Sequence, residues 1–137
     1  MAGTFALRVL TPMGEVLSTR AKSLQISAYD GLVGVLARHA PMVTELDLGR
    51  AEVVEEDGDR RFIAIVGGVM HVRPDEVVVL TEAAEEAAEI DIERAQHALE
   101  RARQRLSARE RGVDVSRAEL AFARALNRLR VAERMKH

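Results

Sequence analysis

A chain of 137 residues with 47% hydrophobic content can form one packed domain or a small core with an appendage, and its 3% aromatic content makes that core aliphatic. The absence of Cys excludes disulfides, thiolate zinc sites and cysteine nucleophiles. A net charge of −2 conceals an asymmetry: residues 1–87 carry 8 Lys+Arg against 14 Asp+Glu, a net of −6, and residues 88–137 carry 12 against 8, a net of +4, so the two parts face different partners or attract each other.

The opening Met-Ala-Gly-Thr-Phe-Ala lacks the basic and apolar regions of a signal peptide. The longest nearly apolar stretch, 62–70, is far short of the roughly 20 residues that span a bilayer, so a soluble, intracellular chain is expected. Phe5, Leu7 and Val9 alternate with Ala6, Arg8 and Leu10, the period of a strand. Thr11-Pro12-Met13-Gly14 turns the chain, and 16–18 can return as a short antiparallel strand. Leu24, Ile26 and Ala28 alternate again before the turn signal Tyr29-Asp30-Gly31. Short strands follow at 33–36, 42–45 and 50–55, and Glu56-Asp57-Gly58-Asp59 makes a hairpin tip.

Beyond the tip, 61–66 leads into Gly67-Gly68, which lets strands approach or bulge. Strands at 69–72 and 76–80 flank Arg73-Pro74-Asp75, where Pro pre-sets a turn. Eight or more short strands at this spacing predict an antiparallel sandwich or barrel rather than a βαβ sheet.

The pattern changes near Thr81. Residues 82–89 are alanine and glutamate without an apolar seam and read as a linker or frayed turn. From there two helices are expected. In the first, Ile92, Ala95, Leu99, Ala102 and Leu106 recur at spacings of three and four; in the second, Val115, Ala118, Phe122, Ala125, Leu129 and Ala132 do the same. Asp91 is placed to cap the first helix, which would run to about Arg111; Gly112 fits its C-terminal stop, and Asp114 can cap the second. Small alanines let two backbones approach closely, but they bury little area, so the hairpin should be marginal by itself. The resulting class is β followed by α, with a sandwich in 1–87 and a helical hairpin in 88–137.

Chemistry is sparse. His39, His71, His97 and His137 show no metal-ligand spacing, and no phosphate-binding glycine loop is present. Glu55-Glu56 and Glu85-Glu86 read as solvated acids in turn or linker settings. No constellation resembles an active site, so catalysis by this chain alone is not expected, and no metal or required cofactor is implied. Nucleic acid is disfavoured because stacking aromatics are nearly absent and the arginines are interleaved with glutamates. A free-standing small-molecule-binding sandwich with a helical lid remains an alternative reading.

The run Asp30-Gly31-Leu32-Val33-Gly34-Val35-Leu36-Ala37-Arg38-His39-Ala40-Pro41-Met42-Val43-Thr44 resembles the Gly-x-x-Gly-(Ile/Val)-Leu-x-x-His-x-Pro-x-x-Thr signature of the ε subunits of F-type ATP synthases. Val66-Gly67-Gly68-Val69 followed by Val77-Val78-Val79-Leu80 is similar to that family's second block, and the order of sandwich then hairpin spans the chain. The resemblance implies a sandwich of about ten strands on the central stalk of the synthase, at the cytoplasmic face of a bacterial plasma membrane, without membrane insertion. It implies contacts with the γ subunit and the c-ring, with Gly31, Gly34, His39 and Pro41 in that region. The family's hairpin is its regulatory element: folded down it lies against the sandwich, and extended it reaches the α/β catalytic head and inhibits ATP hydrolysis.

A shorter motif extends the resemblance. Ile90-Asp91-Ile92-Glu93-Arg94-Ala95 is similar to the Ile/Leu-Asp-x-x-Arg-Ala motif by which some bacterial members bind ATP. The family's further nucleotide positions fall here on Arg101, Arg124 and Arg128, with Glu85 nearby in the linker. A cluster of four guanidinium groups is costly unless an anion or acidic side chains neutralise it. The competing reading is that Asp91 only caps the helix and Arg94 pairs with a neighbouring glutamate.

Overall fold

β1 (Phe5–Thr11) points Phe5, Leu7 and Val9 into the core and Arg8 to solvent, the period-two pattern of a half-buried strand. Similar alternation runs along β2 (Gly14–Ala28), β3 (Gly31–Leu36), β4 (Met42–Glu55), β5 (Arg60–Val72) and β6 (Glu76–Leu80), and a short β7 (Ala84–Glu86) follows. This is a computed structural model that describes residues 3–108 and 115–135. The chain divides into two compact units, Met1–Glu86 and Ala87–His137.

In the first unit the sheet closes on itself. β1 pairs with β2 and β6, β6 with β5, β5 with β4, and β4 with β2, while β3 adds to the edge of β2 and β7 to β5. The closed circuit has five members, and neighbours around an odd ring cannot all alternate in direction. One pairing must therefore be parallel, and it is β1 with β6, where Leu7 lies opposite Val77 and Val9 opposite Val79. The expected sandwich is present with this one exception to its antiparallel pattern.

About ten strands were expected, and seven are found among the described residues. The difference lies in β2, β4 and β5, which are 15, 14 and 13 residues long and run through what reads locally as two short strands each. Bulges absorb the bends: the β2–β4 register shifts between Ala21 and Ser23 and between Ile26 and Ala28. In β5 the bend falls at Gly67 and Gly68, whose φ values are +63° and +113°. Inside lie Phe5, Leu7, Leu24, Ile26, Val35, Val53, Ile63, Ile65, Met70, Val72, Val77 and Val79, all essentially inaccessible to solvent. Each such side chain stabilises the fold by roughly 1.5–3 kcal/mol.

Residues 82–89, expected to be a linker, are ordered. β7 pairs with β5 (Ile63 with Glu86, Ile65 with Ala84), and a single 3-10 turn spans Ala87–Glu89. Helix propensity lost here because the edge of β5 offers unpaired backbone groups that a strand can satisfy.

The second unit contains α1 (Ile92–Ala108) and α2 (Val115–Arg134), packed as a hairpin, with the 3-10 turn against α2. The buried seam is almost pure alanine at heptad spacing: Ala95 and Ala102 on α1, and Ala118, Ala125 and Ala132 on α2, with Val131 beside them. Ile92, Leu99, Leu106, Phe122 and Leu129 are half-buried, whereas Val115 is exposed. The expected stop at Gly112 and cap at Asp114 lie outside the described residues.

One backbone feature makes a test of local strain. Arg38 is left-handed with φ +62°, a conformation that costs an L-residue roughly 1–2 kcal/mol. Arg38→Gly is expected to stabilise the fold by about 0.5–1 kcal/mol, because relief of strain outweighs glycine's extra freedom in the unfolded chain. The measurement is the thermal midpoint, which should rise; a fall would show that the Arg38 side chain contributes more than its strain removes.

Candidate functional site

The glycine-rich segment folds as a hairpin arm. Ala28 lies opposite Gly31, so Tyr29 and Asp30 form a two-residue turn, and Gly31 at φ +128° completes it. Along β3 Val35 is buried and Val33 half-buried, which directs Leu32, Gly34 and Leu36 to solvent. The chain then bends back: the Arg38 amide donates to the Pro74 carbonyl at 2.9 Å, and the His39 amide to the Leu36 carbonyl at 3.2 Å. The His39 ring is fixed by a 2.8 Å contact between Nδ1 and the Ala40 carbonyl, and a carbonyl only accepts, so Nδ1 carries the proton. Pro41 is exposed and leads into β4.

Two observations describe the outer face of this arm and the start of β4. Tyr29, Leu32, Leu36 and Val43 are 77%, 48%, 64% and 69% exposed. Gly34 has ordinary φ, and a Cβ built there meets nothing within 4 Å, so nothing in this chain requires a glycine at that position. Gly31, by contrast, is required by its backbone. The exposed apolar side chains were not singled out by the sequence pattern, because alternation alone does not say which face of an edge strand is uncovered.

The second candidate lies on the hairpin. Asp91 caps α1: its Oδ1 accepts the Arg94 amide at 3.0 Å, and its carbonyl accepts the Ala95 amide at 3.0 Å. Ile90 and Ala95 are buried. Arg94 and Arg101 each precede a buried seam alanine, Ala95 and Ala102, and both are exposed. On α2, Arg124 likewise precedes Ala125, and Arg128 follows it one turn later; both are half-buried, and the Nε of Arg124 is shielded from solvent. The four arginines therefore flank the seam on both helices. Among the described residues Arg94 has no ion pair, so the neighbouring-glutamate partner is not seen. Glu85 belongs to the first unit, on β7 opposite Ala64, and is not in a linker.

Glu55 and Glu86, expected to be solvated acids, instead belong to a third cluster. Thr19, Glu55 and Arg61 follow the inward-facing rows of β2, β4 and β5 to the rim of the core, where Glu86 of β7 joins them. Thr19 Oγ1 donates to Glu55 Oε2 at 2.5 Å, and Arg61 donates to both Glu55 Oε1 and Glu86 Oε1 at 2.6 Å. The Glu55 and Glu86 side chains are only 14% and 18% exposed. The Thr19 hydroxyl, and then Arg61, hold the Glu55 carboxyl below the usual range, and the two carboxylates push the Arg61 guanidinium higher.

A folded-state pKa below the unfolded value means that Glu55 stabilises the fold at neutral pH and ceases to do so as pH falls through its folded pKa. Glu55→Gln should therefore lower the denaturation midpoint at pH 7, and its deficit against the parent chain should shrink steadily on acidification below the ordinary carboxylate range. A deficit independent of pH would show that the charge is not the source.

Comparison with known proteins agrees over both units. Residues 4–87 match the family described as ATP synthase, Delta/Epsilon chain, beta-sandwich domain, and residues 88–133 match ATP synthase, Delta/Epsilon chain, long alpha-helix domain. The ATP synthase epsilon chain of Carboxydothermus hydrogenoformans is 46% identical over 109 residues, covering 80% of this chain and 81% of that protein. The epsilon chain of Koribacter versatilis is 42% identical over 106 residues, covering 77% and 74%. Among solved structures, a chain of the Euglena gracilis mitochondrial ATP synthase (OSCP/F1/c-ring) superposes with a TM-score of 0.70 at 27% identity, covering 98% of this chain and 80% of its own. A chain of the Tetrahymena thermophila mitochondrial ATP synthase (central stalk/c-ring) shares the fold with a TM-score of 0.58 at 12% identity, covering 97% and 96%.

Proposed function

The chain belongs to the epsilon chains of the ATP synthase delta/epsilon family, and on that premise we propose that it is a non-catalytic rotor subunit whose hairpin regulates ATP hydrolysis. Its sandwich sits on the central stalk against the γ subunit and the c-ring, and its hairpin can reach the α/β head. The assembly is peripheral, at the cytoplasmic face of a bacterial membrane; no described helix is long and apolar enough to cross one.

The observation that carries the regulatory reading is the make-up of the second unit. Its seam is nearly all alanine, so its internal packing is thin, and residues 88–137 carry a net charge of +4. A thinly held basic element can leave one position for an acidic surface elsewhere at little energetic cost. Removing residues 88–137 from the assembled synthase should raise its ATP hydrolysis several-fold while assembly is retained. Unchanged hydrolysis would remove the inhibitory role, and loss of assembly would count against the division of labour between the units.

The contact role of the glycine-rich arm has its own test. Gly34→Leu should leave the sandwich folded, since nothing lies within 4 Å of the added Cβ, and should weaken capture by γ and c-ring components. Capture equal to the parent chain would take the β3 face out of the interface.

The flanking arginines support ATP as a regulatory ligand of the hairpin, bound by Ile90, Asp91, Arg94, Ala95, Arg101, Arg124 and Arg128. Asp91 is already used as a cap, so its part is to hold the start of α1, and the guanidinium groups carry the phosphate charge. A ligand bound in only one state shifts the population toward it, so ATP favours the folded-down hairpin. Titration calorimetry of the full chain should give ATP-dependent heat that Arg94→Ala abolishes. No heat at millimolar nucleotide would end this part of the proposal.

A further inference from the structure

The junction between the two units is abrupt. β7 ends at Glu86, and the 3-10 turn begins at Ala87 with no residue between them. On one side of that junction the strand is held several ways. Three residues of β7 pair with Ile63, Ala64 and Ile65 of β5. Just before them, Thr81 is the one buried polar residue among the described residues. Its hydroxyl accepts the Val66 amide at 3.2 Å and donates to the Ala83 carbonyl at 3.2 Å, and the Val66 amide also reaches the Ala83 carbonyl at 3.1 Å. At the far end, Arg61 ties Glu86 to Glu55, and through Glu55 to Thr19 of β2. On the other side of the junction, the Ile90 amide closes the 3-10 turn on the Ala87 carbonyl at 3.2 Å, and the turn packs against α2.

We propose that Arg61 is a latch residue: it pins β7 as the fixed end of the hairpin's tether, so that the hairpin pivots at the Glu86–Ala87 junction. This rests on the reading that the hairpin moves. β7 is short, and three residues of edge pairing are weak without help. Arg61 supplies that help at the last residue before the junction, where fraying would otherwise begin. The rim network thus has two roles, closing the polar end of the core and setting how much chain is free to follow the hairpin. An unlatched β7 would add residues 84–86 to the tether and widen the hairpin's reach.

Amide exchange in the isolated full chain tests the latch. The amides that join β7 and its approach to β5, those of Glu85, Ala64 and Val66, should exchange more slowly than those of the 3-10 turn. Arg61→Met should accelerate these three by about tenfold or more while the amides of β1, β2 and β4 stay unchanged, since local opening tracks local contacts. Glu86→Gln, which keeps the fold and removes one charge, should shift the same amides in the same direction by less. Exchange of Glu85, Ala64 and Val66 at the rate of the 3-10 turn in the parent chain, or rates indifferent to both substitutions, would overturn the proposal.

The pivot is tested in the assembled synthase with Val66→Cys and Ala83→Cys, in a chain that has no other cysteine. Oxidation fixes the entry to β7, and the hairpin's effect on ATP hydrolysis should be the same oxidised and reduced. Loss of that effect on oxidation places the pivot upstream and overturns the proposal. If removal of 88–137 has no effect on hydrolysis at all, the regulatory reading fails, and the exchange rates still decide the latch.

Discussion

Gly68→Val is expected to lower the stability of the sandwich by about 3 kcal/mol or more, enough to lower its thermal midpoint by roughly 10 °C or beyond. Two independent penalties act at this position. The backbone is at φ +113°, which a β-branched residue does not adopt without strain. In addition, a Cβ there would run into the Leu80 carbonyl oxygen and lie 2.8 Å from the Thr81 Cα. Both neighbours are backbone of the segment leaving β6, and they cannot swing aside as the end of a side chain can. Gly58→Ala separates the two penalties: φ is +94° there but nothing lies within 4 Å of the new Cβ, so only strain of about 1 kcal/mol is expected. Equal losses at the two positions would show that the approach of Leu80 and Thr81 is not what requires glycine.

Ala125→Leu should open the hairpin. Ala125 sits in the middle of the α2 seam, between Ala118 and Ala132 at heptad spacing, and is 3% exposed. Its seam counterparts on α1 are Ala95 and Ala102, and the larger side chain has no space in a backbone approach set by methyl groups. Overpacking of this kind costs about 1–3 kcal/mol, which is large for a hairpin with so little buried apolar surface. The expected result is loss of much of the helical far-UV signal at temperatures where the parent retains it. Leu120→Ala, at a position 47% exposed, is the control and should change stability by less than about 0.5 kcal/mol. If Ala125→Leu stabilised the helices instead, the seam would be loosely filled and its alanines would not set the approach.

Several features of the fold are legible locally because one residue type and its immediate neighbours decide them. Phe5, Leu7 and Val9 announce an inward row, and Asp57-Gly58 a tip whose glycine is left-handed. Asp91 announces a cap because a short carboxylate before an apolar period reaches the free amide three residues on. The candidate sites are less legible. The glycine signature locates the arm, but the exposure of Leu32 and Leu36 depends on which face of β3 the core takes, and that is the face of Val35. The arginines beside the seam can be counted from their spacing. Their differing exposure, with Arg94 and Arg101 open and Arg124 and Arg128 half-buried, depends on packing.

Residues 82–89 show the limit most clearly. Alanine and glutamate favour helix intrinsically, yet 84–86 form a strand because β5 presents an unpaired edge at Ile63, Ala64 and Ile65. Likewise Glu55 reads as a solvated turn acid until Thr19 and Arg61, 36 and 6 residues away, are brought against it. The amino-acid order alone determined the division into an acidic β part and a basic helical part, the turns, the cap and the alanine seam, because each follows from short-range periodicity or from a single side chain. Only the tertiary structure decided the parallel closure of β1 on β6, the strand at β7 and the Arg61 network. Those depend on which backbone edges and inward rows meet, and a sequence specifies such meetings only through the whole fold.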